Sequence, residues 1–283
     1  MLAHAVRSSC MQCVVASSAS DKLVMKKKVD IIVSCYNEED NVFPFYDEII
    51  KYLNDDNYVY NIVYVNDGST DSTYEKVYKI ASHYSDKKYK DNVKVSYITF
   101  IHNFGHEAAM CAGLDTSKSD YLIFMDADLQ HPPKKIPEII KKLEEGADAV
   151  LLKRLKYKNA SLMKKITSRG YYYFSRYILQ NKNIPDVSDY FAINRNLADL
   201  LKEKYRTRLR FLRSFVQLES KNKALIEYEA EDRFSGVSRY NYLRLIKLAI
   251  VSELARSKYM RNKYKETENN KIYEIDEKRS SYE

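Results

Sequence analysis

Between Val29 and Leu152 the chain alternates short apolar runs with segments whose apolar residues recur at helical spacing, and this alternation restricts the fold more than any other feature. Val29–Cys35, Tyr60–Val65, Val93–Phe100, Tyr121–Met125 and Ala147–Leu152 read as strands. Asn41–Leu53, Ser72–His83, Gly105–Ser117 and Pro137–Glu145 read as helices, the last closed by Gly146 as a C-cap. Parallel neighbours need a crossover, and a helix supplies it. The expected fold is therefore α/β, a mostly parallel sheet with helices on both faces. A later strand is expected at Ala224–Tyr228.

Ligands of such sheets bind beyond the carboxyl ends of the strands. Three polar clusters fall there: Tyr36-Asn37-Glu38 after the first strand, Asn66-Asp67-Gly68 after the second and Asp126-Ala127-Asp128 after the fourth. Asp126 and Asp128 offer hard oxygen ligands suited to Mg²⁺ or Mn²⁺, and Pro132-Pro133 stiffens the exit. The competing structural reading is a capping aspartate beside a solvated neighbour. Asn66–Asp71 makes a tight turn, with Asp71 or Ser72 placed to cap the next helix. Asp67 there is suited to accept an N–H from a nucleotide base.

Composition narrows the partners. With 283 residues and 45% hydrophobic content the chain can bury a sizeable core, which excludes wholesale disorder. A net charge of +8 favours nucleotide phosphates, nucleic acid or an anionic membrane face. No RNA-binding signature is present and an acidic pair at a strand end repels nucleic acid, so nucleic acid is set aside. Cys10 and Cys13 form a lone C-x-x-C, two ligands short of a structural zinc site, and nothing suggests a disulfide framework. No apolar run reaches the ~18–20 residues that span a bilayer. Residues 153–182 carry lysines and arginines with no acid between them, interleaved with Leu162, Ile166, Tyr171–Phe174, Tyr177 and Ile178. That is the composition of a helix lying in a membrane interface, or of one packed on the core with a solvated basic face. The expected organisation is a disordered extension over 1–24 with a native start near Met25, a catalytic domain over 25–240, a basic amphipathic helix over 241–265 and a frayed polar tail over 266–283.

Five ordered motifs carry a resemblance. Ser34-Cys35-Tyr36-Asn37-Glu38-Glu39, Val65-Asn66-Asp67-Gly68-Ser69-Thr70-Asp71 and Asp126-Ala127-Asp128-Leu129-Gln130-His131-Pro132-Pro133 resemble the family 2 glycosyltransferases of GT-A (Rossmann-like) fold. His102-Asn103-Phe104-Gly105-His106-Glu107-Ala108-Ala109 is similar to the R-N-F-G-K-x-x-A segment of dolichyl-phosphate mannose synthases and polyprenyl-phosphate glucosyltransferases, and Arg233-x-x-Gly236-x-Ser238-Arg239-Tyr240 to their R-x-x-G-x-S-K-Y. The match covers roughly residues 29–250. It implies an inverting, metal-dependent transferase that moves a hexose from a UDP- or GDP-linked donor to an undecaprenyl- or dolichyl-type phosphate. Such an enzyme works at the cytoplasmic face of a membrane, to which this chain is expected to dock peripherally through amphipathic membrane-interface helices, through a small membrane-protein partner or as a homo-oligomer.

The resemblance also implies roles. Ser34, Tyr36, Glu38, Val65 and Asp67 would hold the base and ribose, with Ala127 against the donor. Asp126, Asp128 and Gln130 would surround Mg²⁺ or Mn²⁺. Arg154, Arg233, Arg239 and Ser238 would contact donor or acceptor phosphates. Asp128, Asp189 and Arg154 are the catalytic candidates. Asp189, in Ser188-Asp189-Tyr190, matches a G-D-F segment and is expected to orient the acceptor more than to take its proton, because a lipid phosphate is already anionic. His102, His106 and Phe191 stand where the family has cationic residues, which implies a less cationic site, and Arg239 replaces lysine. The alternative function is a family 2 transferase acting on a saccharide hydroxyl in cell-surface polysaccharide synthesis. A catalytically silent membrane adaptor is the reading from another class.

Overall fold

A computed structural model of the chain describes residues 26–82, 91–155, 184–205, 211–229 and 273–279. The strands are β1 (Lys27–Cys35), β2 (Tyr58–Asn66), β3 (Val93–Phe100), β4 (Tyr121–Asp126), β5 (Ala149–Arg154), β6 (Val187–Asn194), β7 (Lys223–Tyr228) and β8 (Ile275–Arg279). The helices are α1 (Val42–Ile49, extended by a 3-10 turn over Ile50–Tyr52), α2 (Thr73–Ser82), α3 (His106–Thr116), α4 (Ile136–Glu144), α5 (Arg195–Lys204) and α6 (Leu212–Glu219). Each of the strands and helices expected up to Leu152 is present, with ends shifted by a few residues. Gly146, at φ 94°, ends α4: its N–H reaches Leu143 O and that of Ala147 reaches Lys142 O, a Schellman closure.

The strands form one sheet in the order β7-β5-β6-β4-β1-β2-β3-β8. Strands β4, β1, β2 and β3 run parallel, and β7 is parallel to β5. Strand β6 lies antiparallel between β4 and β5, and β8 lies antiparallel on β3. Side chains alternate between two cores. Val29, Ile31 and Val33 face α1, α2 and α4, whereas Ile32 faces α3, α5 and α6. Helix α3 sits close to the sheet because Gly113 lacks a side chain: a Cβ there would lie 2.3 Å from Ile32 Cγ2.

Two features differ from expectation. Strand β6 was not foreseen and places an antiparallel strand inside a sheet expected to be mostly parallel. The polar tail is not frayed over 275–279, where it pairs with β3. An edge strand presents unpaired N–H and C=O groups, and a polar segment can satisfy them while its side chains stay in water. Among the described residues no helix is long and apolar enough to cross a membrane. The extension over 1–24, most of the basic stretch 153–182 and the helix expected over 241–265 lie outside the described residues.

Candidate active site

The carboxyl ends of β1, β2 and β4 converge as the parallel register requires. Ser34 pairs with Asp126 and Cys35 with Asn66. Strand β6 adds Asp189. Its pairs with β4 sum to a constant (Tyr121 with Asn194, Phe124 with Phe191), so continuing that register brings Asp126 opposite Asp189. By side-chain alternation Ser34, Asp126 and Asp189 share the face covered by α3 and α6. The register of β5 against β6 shifts between Leu151 and Lys153, next to Asp189. Such bulges re-aim side chains beside binding sites.

His106, the first residue of α3, stands at the centre. Its Nδ1 is 2.9 Å from Ser34 Oγ and 3.5 Å from Asp126 Oδ1, and its Nε2 is 3.9 Å from Asp189 Oδ2. Ser34 Oγ also donates to Asp126 Oδ1 at 2.9 Å. Arg213 of α6 pairs with Asp189 through Nη1 at 2.9 Å. His131 closes the other side of Asp126: its Nδ1 accepts the Asp126 N–H at 3.0 Å, and its ring stacks on Tyr190 at 5.1 Å. Burial works against the charged form of His106, but the carboxylates of Asp126, Asp189 and Glu107 outweigh it and raise its pKa. Glu107, whose Oε2 accepts the Leu212 N–H at 3.0 Å, is pushed up to about 7 by burial and by Asp189.

Asp67, expected to contact the base, holds the loop before α3. It is 3% exposed, and its oxygens accept the N–H groups of Phe104 (2.7 Å) and Gly105 (2.9 and 3.1 Å), which fixes the loop before α3 and hence His106. Burial raises its pKa to about 6 against the opposing pull of those N–H groups. Gly68 makes the turn, at φ 64°, and a Cβ there would lie 2.2 Å from the His102 carbonyl carbon. Beyond this turn opens a cleft of about 510 Å³ whose lining includes Tyr36, Asp71, Glu75, His102 and Asp276.

The other expected residues divide. Tyr36 is 37% exposed at the cleft, and Glu38 sits at the β1 exit with its N–H on Thr73 Oγ1 at 2.8 Å. Arg154 ends β5, where its charge acts on Tyr228. The Val65 and Ala127 side chains are buried in the two cores, so the donor contact expected of them would run through their backbone. Phe191 is also core, stacked on Phe124 at 4.7 Å, so an arginine is not missing from the site at that position. At His106 the neighbouring carboxylates favour the charged form. Arg233, Ser238 and Arg239 lie outside the described residues. Sequence reasoning missed Glu107, Arg213 and His131. Glu107 and His131 carried a signal, since both follow strands at the carboxyl edge, whereas Arg213 reaches the site only through tertiary packing.

Asp126 and Asp128 meet the chemistry of a divalent metal. Ser34 steadies Asp126, and the Gln130 N–H donates to Asp128 Oδ1 at 3.1 Å, so both carboxylates are oriented. Among the described residues no set of three or more His, Cys, Asp or Glu forms a ready cage. Mg²⁺-type ions accept one or two carboxylates and complete their shell with substrate phosphates and water, so the donor set fits.

A model of glycosyl transferase family 2 matches residues 30–200. The chain is 28% identical over 226 residues to an uncharacterized glycosyltransferase of Synechocystis sp., covering 80% of this chain and 68% of that one. It is 30% identical over 223 residues to a bactoprenol glucosyl transferase of Shigella phage SfV, covering 79% and 70%. Among solved structures, S. aureus TarS 1–349 in complex with UDP superposes with a TM-score of 0.50 at 19% identity, over 82% of this chain; the match spans 66% of TarS 1–349, just under two thirds. Glucosyl-3-phosphoglycerate synthase from Mycobacterium tuberculosis, in complex with Mn²⁺, UDP and glucosyl-3-phosphoglycerate, gives 0.51 at 16% identity over 81% and 79%. At these identities the structural likeness speaks to the fold.

Proposed function

The chain belongs to glycosyl transferase family 2, and on that premise we propose that it is an inverting hexosyltransferase that uses a UDP- or GDP-linked sugar and delivers it to a polyprenyl phosphate at a membrane surface. The observation that carries this reading is the Asp126 carboxylate at the exit of β4, oriented by Ser34 of β1 and adjoining His106, which also approaches Asp189. The bactoprenol glucosyl transferases among the relatives support the acceptor, and the Mn²⁺ and UDP complexes of fold neighbours support a divalent metal.

In this reading Asp126, Asp128 and Gln130 would hold Mg²⁺ or Mn²⁺. A bound divalent ion supplies charge neutralisation to the leaving diphosphate. Tyr36 and Glu38 hold the nucleoside, and Asp67 positions the loop that carries His106. His106 stands between Asp126 and Asp189. Arg154, Arg233, Ser238 and Arg239 bind donor or acceptor phosphate, a role for which the arginine fork is suited. The acceptor oxygen attacks the anomeric carbon opposite the diphosphate, so one displacement inverts that centre. Asp189 is already engaged by Arg213, and an anionic lipid phosphate needs no proton removed. Asp189 then orients Arg213 and the acceptor. Membrane docking at the cytoplasmic face, alone or with a small membrane partner, rests on the basic stretches of the sequence.

The test is transfer by purified protein from labelled UDP- and GDP-hexoses to polyprenyl phosphate in vesicles, with Mn²⁺ or with EDTA. Label is expected to extract into organic solvent and to be lost with EDTA. Label found only in water-soluble glycans would overturn the lipid reading. Asp189→Asn separates the alternative: it slows transfer to a phosphate but abolishes transfer to a hydroxyl, which needs a base.

A further inference from the structure

Strand β8 does more than cover a sheet edge. It is fastened on both faces of β3. On the α2 side, Glu277 accepts hydrogen bonds from the hydroxyls of Tyr74 and Tyr97. On the α3 side, Tyr273 stacks on Phe100 at 5.1 Å and 12°, and its hydroxyl donates to Asp115 Oδ2 at 3.1 Å. The Ile101 N–H reaches Glu274 O at 3.3 Å, and the pairing with β3 is irregular between Thr99 and Phe100. These anchors set Asp276 in the wall of the 510 Å³ cleft, on the side that β3 alone leaves open.

The cleft has a definite chemistry. Its volume lies within the ~300–1,000 Å³ typical of small-molecule sites. Acidic Glu75 and Asp276 line it beside Asp71, whose carboxylate accepts from Thr73 and the Glu39 N–H, and none of its described lining residues is lysine or arginine. Such a wall repels a diphosphate and favours a neutral group rich in N–H and O–H donors. The half-exposed ring of Tyr36 offers a stacking surface at the same place. The cationic groups beside Asp126 and Asp189, His106 and Arg213, are not among this lining.

We propose that β8 is the outer wall of the nucleoside subsite, with Asp276 accepting hydrogen bonds from donor groups of the base or ribose and Glu277 holding the strand in place. This deepens, and rests on, the nucleotide-sugar reading. Glu277 acts here as a positioning residue.

Calorimetric titration with UDP, GDP and inorganic pyrophosphate, each with Mn²⁺, tests it on the full chain and on Asp276→Ala and Glu277→Ala. One net hydrogen bond corresponds to roughly a 3- to 10-fold change in affinity. Both variants are expected to bind the preferred nucleotide 3- to 10-fold more weakly and pyrophosphate as the unaltered chain does. In transfer assays the donor KM rises by that factor while kcat changes less than about twofold. Nucleotide affinity unchanged in both variants overturns the inference while leaving the donor reading intact. Equal losses for nucleotide and pyrophosphate also overturn it, because β8 would then act on the whole site. If the unaltered chain binds pyrophosphate but neither nucleotide, the donor reading falls and this inference with it.

Discussion

Asp67→Asn exchanges a buried carboxylate for an amide of nearly the same shape where β2 gives way to the turn facing the loop before α3. The Asp67 pKa stands at about 6, against 3.8 for the unburied group. Each unit is worth about 1.4 kcal/mol, so the ionised carboxylate costs the folded state about 3 kcal/mol at neutral pH. Because the folded pKa lies above the unfolded one, the folded protein binds the proton more readily between the two values. The contribution is fully present below about pH 4 and is lost as pH rises through 6. From pH 7.5 down to pH 5 it adds about 1.4 kcal/mol to the stability of the unaltered chain. Asparagine cannot titrate, and it loses one acceptor for the Phe104 and Gly105 N–H groups, a pH-independent cost of about 1–2 kcal/mol. Urea unfolding followed by far-UV circular dichroism gives both stabilities across this range. The stability of the unaltered chain relative to the Asn variant, taken with its sign, is expected to rise by about 1.4 kcal/mol on acidification from about pH 7.5 to pH 5. A relative stability that stays constant or falls would refute the assignment of Asp67 as a buried, loop-holding carboxylate.

Gly68→Ala forces a side chain into a left-handed turn against the His102 backbone, and a cost of about 2–4 kcal/mol is expected in the same unfolding assay. Asn194 accepts the Leu197 N–H at 2.9 Å as the N-cap of α5, so Asn194→Ala is expected to cost about 0.5–2 kcal/mol, read as a lower midpoint without a change in slope. Arg213→Gln frees Asp189, and a fall in kcat of about 100-fold with nucleotide affinity unchanged is expected, since misplacing a positioning group costs rate more than binding. A matching loss of nucleotide affinity would place Arg213 on the donor instead.

The four strands β1 to β4 were legible because strands buried on both faces read as apolar runs, and three acidic or polar clusters could be assigned to one sheet edge from their positions alone. Strand β6 was not legible: Val187-Ser188-Asp189-Tyr190 mixes polar and apolar residues as it approaches the site, so its pattern carried the motif but hid the strand. Strand β8 was hidden for a related reason, since Ile275-Asp276-Glu277-Lys278-Arg279 satisfies backbone groups at an edge without burying an apolar face. Motif membership assigned Val65 and Ala127 to the ligand, whereas side-chain alternation sends both into the cores. His106 was read as a lost cation because its charge depends on Asp126 and Asp189, which come from other strands.

Electron paramagnetic resonance of Mn²⁺ gives the most direct test of the acidic pair at the β4 exit as the metal seat. The free-ion signal is expected to fall when UDP or GDP is added to the unaltered chain beyond what nucleotide alone removes. In Asp126→Asn and Asp128→Asn that extra loss is expected to disappear. Undiminished Mn²⁺ uptake with nucleotide in both variants would contradict the account.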